Sequence, residues 1–198
     1  LGYYLRVLGK NKEPISFATL QEVAHPAVLD LQKNDGEEWE QLILRHPSGK
    51  EIALIERNLV TEGSLGEEEL QEFTSEVLEY KPASAAKWLH QYLPTVRVIY
   101  AFQILSGTEV EDGWGAVHSL QNSIWHSADG ILQSDGEGFT NEDGYTILWQ
   151  FSDTVSGPWY VAVLTGDSQW SKFQMSLGNK AHRKAFWQGQ VPAGVKVL

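Results

Sequence analysis

The sequence predicts an α+β fold with a mainly antiparallel sheet covered by helices. Short runs rich in β-branched and aromatic residues recur along the 198 residues, bounded by Gly, Pro, Asn and Asp. Other segments repeat apolar residues at helical spacing. Hydrophobic residues at 42% and charged residues at 21% give the balance of an ordinary globular chain.

Tyr3 to Leu8 reads as a first strand, ended by Gly9. Ser16 caps a short helix through Phe17, Leu20 and Val23, which stops at His25-Pro26 because a residue before proline disfavours helical backbone. Val28, Leu29 and Leu31 open a second strand running into an Asn34-Asp35-Gly36 turn. Leu42 to Arg45 and Ile52 to Ile55 flank His46-Pro47-Ser48-Gly49-Lys50 and form a hairpin. After a loop over Thr61 to Gly66, Glu67, Glu68 and Glu69 begin a helix at the end where its dipole favours carboxylates. Leu70, Phe73 and Val77 form that helix's core face. Pro82 begins another helix, with Ala85, Trp88, Leu89 and Tyr92 as its apolar stripe, and Pro94 closes it. Val96 to Leu105 is a long apolar strand. Asp112 caps a helix lined on one side by Trp114, Val117, Leu120 and Ile124.

The second half is organised around Gly130 to Phe151, read as a hairpin. Its first arm carries Ile131 and Leu132 and then Asp135-Gly136-Glu137-Gly138, where glycine implies a bulge or a close approach. Asn141-Glu142-Asp143-Gly144 supplies the turn. Tyr145 to Phe151 forms an apolar arm buried on both faces. A strand over Trp159 to Leu164 follows Gly157-Pro158, and Phe173, Met175 and Leu177 mark a half-exposed one. A short helix around Ala181 to Trp187 precedes a loose tail. The first half resembles the ferredoxin-like split βαβ plan with an extra strand. The domain expectation is a subdomain over 1–105 and a helix-plus-strand subdomain over 106–198, packed as one compact unit.

Net charge −11 and a pI near 4.9 argue against a nucleic-acid partner, whose phosphates need Lys and Arg. An acidic chain favours a basic protein partner. The absence of cysteine excludes disulfides, thiolate catalysis and Cys-bound zinc. No segment is apolar enough to span a bilayer, no signal-peptide core opens the chain, and no Asn-x-Ser/Thr acceptor occurs, so the expected setting is cytoplasmic. An opening Leu1 in place of Met points to a processed or trimmed product.

Between Ser106 and Gln169 there is no Lys or Arg, while Glu109, Glu111, Asp112, Asp129, Asp135, Glu137, Glu142, Asp143, Asp153 and Asp167 fall there. From Trp170 onward the signs reverse, with Lys172, Lys180, Arg183, Lys184 and Lys196. The two segments are expected to lie against one another. Asp135, Glu137, Glu142 and Asp143 form the candidate binding cluster. Phe139 breaks the EF-hand ligand pattern there, and none of the six histidines has zinc-like spacing, so no metal or cofactor is expected. Trp159 and Trp187 are the tryptophans expected at the surface, as anchors beside carboxylates.

The leading functional expectation is a non-enzymatic interaction module of immunity or inhibitor type. One alternative is a carboxylate-based or metal-assisted hydrolase using Asp135 and Glu137. A structural or self-assembling subunit is the other.

Overall fold

The computed structural model describes residues 2–36, 38–166 and 168–198, so Asp167 of the acidic segment lies outside the described residues. Among the described residues the architecture is α+β, with ten strands, mostly antiparallel, and five α-helices. The chain groups into two units, Leu1–Glu68 with Val96–Ile131, and Glu69–Thr95 with Leu132–Leu198. This interleaved division differs from the expected boundary at residue 105, because the helical segment 69–95 groups with the last third of the chain. No helix among the described residues is long and apolar enough to cross a membrane.

The first unit holds β1 (Tyr3–Gly9), α1 (Phe17–Ala24), β2 (Val28–Asp35), β3 (Glu38–Arg45), β4 (Glu51–Leu59), β5 (Val98–Ile104) and α4 (Gly113–Ala128). α2 (Leu65–Glu76) and α3 (Ala83–Tyr92) lie between β4 and β5 in sequence. The strand order is β1-β5-β4-β3-β2, every neighbouring pair antiparallel. β1 and β2 therefore run the same way, joined through α1, with three strands between them where a split βαβ unit has one. Ser16 caps α1 as expected, its hydroxyl accepting from the Thr19 N–H at 3.1 Å. Leu20 and Ala24 of α1 and Val117, Leu120 and Ile124 of α4 are buried.

β4 turns Ala53, Ile55 and Arg57 to the buried side, so period two places a guanidinium where a hydrophobe is the usual choice. The Arg57 side chain is 4% exposed and donates from Nη1 to Glu38 at 2.8 Å. Its Nη2 donates to the Lys12 carbonyl at 2.8 Å. Tyr100 lies directly opposite it in the β4–β5 register. Burial raises the Tyr100 hydroxyl's pKa above the ordinary tyrosine value, with Arg57 acting in the opposite sense. At the outer strand β2, the Leu29 N–H donates to Gln21 Oε1 at 2.8 Å and Gln21 Nε2 donates to the Ala27 carbonyl at 3.1 Å. That carboxamide stands in for a missing neighbour, one way to blunt a sheet edge.

The second unit holds α3, β6 (Gly130–Ser134) from Leu132 onward, β7 (Gly138–Thr140), β8 (Thr146–Trp149), β9 (Pro158–Leu164), β10 (Trp170–Ser176) and α5 (Lys180–Trp187). The expected two-arm hairpin is a three-strand meander. Asp135, Gly136 and Glu137 make a turn of their own, and the Glu137 N–H donates to the Ser134 carbonyl at 3.2 Å. The glycine signal was a close approach by the chain's own backbone: at Gly138, φ is +124° and a Cβ would lie 1.9 Å from the Leu148 carbonyl oxygen. β8 is buried along its length and pairs antiparallel with β7 and parallel with β9. Behind it, Trp149, Phe151, Val161, Phe173 and Phe186 form one core. The tail is anchored, because Val197 bridges to Phe173 and the Leu198 N–H donates to the Lys172 carbonyl at 2.8 Å.

Three substitutions test this account of the fold. Gly138→Ala must push a carbonyl aside and hold a positive φ, so chemical denaturation is expected to show a loss of about 3 kcal/mol or more. Gly136→Ala, at φ +71° with open space around it, is expected to lose about 1–2 kcal/mol. A raised Tyr100 pKa means that the stability from keeping the hydroxyl neutral is present below a pH of about 10 and is lost as pH rises through the folded-state value. Alkaline melts of Tyr100→Phe are therefore expected to show a smaller decline in that window than the wild type.

Candidate functional site

The expected acidic cluster is divided by its own strands. Asp135 and Glu137 sit in the β6–β7 turn, Glu142 and Asp143 in the β7–β8 turn. Consecutive turns of an antiparallel meander fall at opposite ends of the strand joining them, here roughly 10 Å for three residues of β7. Asp135 and Glu137 lie in a turn, not on one strand face, and they line none of the clefts described below. Asp143 pairs with Lys172 at 2.8 Å, so acid from the middle of the chain does meet base from its end at this point. Arg183 instead donates to the carbonyls of Leu177, Asp153 and Val155.

Trp159 and Trp187 are half-buried. Trp159 donates to Thr146 Oγ1 at 2.9 Å and meets Phe151 edge-on, so it serves the core. Its neighbour Tyr160 faces the other side of β9 and is 53% exposed. A one-residue change of phase along a strand exchanges core for surface.

The tryptophan that stands out among carboxylates is Trp114, which is 41% exposed at the start of α4. It was expected on the core stripe with Val117, Leu120 and Ile124. Long helical side chains point back towards the helix N-terminus. In the first turn this carries the indole off the core, where it meets Tyr3 edge-on at 6.4 Å and His118 at 5.7 Å. Glu109, Glu111 and Asp112 precede it and are exposed. Asp112 occupies the N-cap position in left-handed backbone, φ +61°, and its carboxylate makes no capping bond. None of these three carboxylates has an ion pair or side-chain hydrogen bond among the described residues. Beside this corner, a groove of about 260 Å³ runs between the end of α1, the β3–β4 turn and α4, with Ala24, Pro26, Pro47 and Ala116 among its walls and His25, His46 and Asp112 along it.

A larger cleft of about 360 Å³ in the same unit is lined by Lys33, Glu38, Glu40, Gln41, Glu56 and Arg57. Its two cations are each paired, Lys33 with Glu40 and Arg57 with Glu38, while Glu56 accepts from the neutral Gln41 amide, so Asp35 and Glu56 leave the cleft with an excess of negative charge. Among the described residues no group of three or more His, Asp or Glu is placed to hold a metal ion. Comparison of the chain with models of known protein families, with curated proteins and with solved structures returns no match.

The sequence did contain a signal for this corner, in the acidic run from Glu109 to Asp112 that leads straight into a tryptophan. The different duties of the tryptophans give a test by denaturation. Trp159→Ala is expected to lose about 3 kcal/mol, whereas Trp114→Ala should lose roughly 1 kcal/mol or less.

Proposed function

We propose that the protein is an acidic interaction module whose α4 corner docks a basic partner protein, in a cytoplasmic setting. The observation that supports this is the exposed Trp114 flanked by Glu109, Glu111 and Asp112, whose charges the chain does not use. Binding energy concentrates in a few residues, tryptophan prominent among them, when a surrounding rim excludes water. Carboxylates in that rim speed encounter with a positive surface and reject acidic ones. An immunity or inhibitor role, masking a basic toxin or nuclease, is one concrete form of this reading. The proposal also treats the first unit as a widened split βαβ plan, supported by the shared direction of β1 and β2 across α1. The three clefts described above are lined by other residues than Asp135 and Glu137, so they lend a hydrolase at those two carboxylates no support.

The test is capture of a partner from host lysate, its purification, and titration of the reconstituted pair at low and high salt. Trp114→Ala is expected to weaken binding by about 2 kcal/mol or more. Glu109→Gln/Glu111→Gln/Asp112→Asn should slow association about tenfold and flatten its salt dependence. Unchanged affinity in both variants would rule the corner out as the docking face. A molar mass in light scattering that rises with concentration, and that Trp114→Ala abolishes, would instead make the corner a homomeric contact.

A further inference from the structure

We propose that a second site, a shallow cleft in the second unit, binds a flat aromatic group carrying an anionic substituent. The cleft has a volume of about 210 Å³ and is lined by Glu79, Tyr80, Lys81, Trp149 and Trp187. Its two indoles stand at 89° with centroids 5.6 Å apart, so a planar guest laid on one presents its edge to the other. A cavity of about 150 Å³ holds benzene, so this volume suits one ring or a fused pair.

The walls are held in place before any guest arrives. Trp149 is 8% exposed and donates from Nε1 to the Phe151 carbonyl at 3.1 Å. Its backbone N–H donates to the Lys81 carbonyl at 2.9 Å, which fixes Lys81 at the same wall. Trp187 is the half-buried ring of the pair, so part of it stays accessible to a guest.

Charge selects the substituent. The Lys81 ammonium lies 5.8 Å from the Trp187 centroid and pairs with no carboxylate among the described residues. The Arg183 guanidinium lies 5.4 Å from the Trp149 centroid but is committed to backbone carbonyls. Perpendicular aromatic walls with Glu79 at the rim are also the setting for a quaternary or methylated ammonium. Two cations of the chain already stand over these rings, however, and a third would be repelled. An anion meets the unpaired Lys81 instead.

This inference is independent of the α4 corner. It is tested by following the Trp187 indole N–H in NMR spectra, assigned with Trp187→Phe, while titrating 2-naphthoate, 2-naphthylmethanol or 2-naphthylmethylammonium. The expected result is a saturable shift with naphthoate, with the ammonium analogue weaker by about tenfold or more. Lys81→Met should bring naphthoate and the neutral alcohol to within about twofold of each other, and Lys81→Arg should restore the preference. Trp187→Ala, followed at the Trp149 indole N–H on the same cleft, should remove binding of all three. No saturable shift with naphthoate, equal binding of the three probes, or a preference for the ammonium would overturn the proposal. Lys81 is exposed, so its variants are expected to keep the fold, which the unshifted remainder of the spectrum checks.

Discussion

A charge buried in a protein interior must be paired and hydrogen-bonded, and Arg57 imposes that requirement on the first unit. It sits on the core side of β4, so its partners have to come to it. The start of β3 brings Glu38, and the loop before α1 brings the Lys12 carbonyl. Trp39 holds the same loop by donating to the Ile15 carbonyl at 2.8 Å. The loop therefore reaches Ser16 in position to cap α1, and α1 in turn supplies both the Leu20–Ala24 contact face and the Gln21 amide at the β2 edge. One unfavourable residue choice thus accounts for the path of a segment that has no regular structure of its own.

The second unit is governed by the approach of backbone to backbone. At Gly138 the Leu148 carbonyl occupies the volume of a side chain, which brings β7 and β8 together at that point. The meander that results disperses its own carboxylates to both ends. The four acidic residues that are close in the sequence are for that reason split into two pairs, Asp135 with Glu137 and Glu142 with Asp143.

Across both units, surface charges divide into those the chain uses and those it leaves. Lys10 pairs with Asp129, Arg45 with Asp30 and Glu51, and Lys172 with Asp143. Exposed pairs of this kind contribute about 1 kcal/mol or less each, so their main effect is to neutralise local field. The α4 corner and Lys81 are places where no such neutralisation occurs. At each, an unspent charge stands beside a partly exposed indole, and the sign is negative at one and positive at the other.

Most elements were legible in the sequence, because strand and helix periodicity, turn residues and caps are local properties. The Ser16 cap, the His46–Lys50 hairpin turn and the buried β8 run all report their own conformation through neighbours a few residues away. The site was legible only as composition: an acidic run, many tryptophans and no motif. By itself the sequence determined the class of fold, the excess of negative charge and the absence of thiol chemistry. Tertiary structure decided which tryptophan faces water, which acids are spent, and that Lys81 stands over an aromatic wall. Those outcomes depend on strand phase, on where a helix begins relative to the core, and on contacts between residues far apart in the chain, none of which a local pattern encodes.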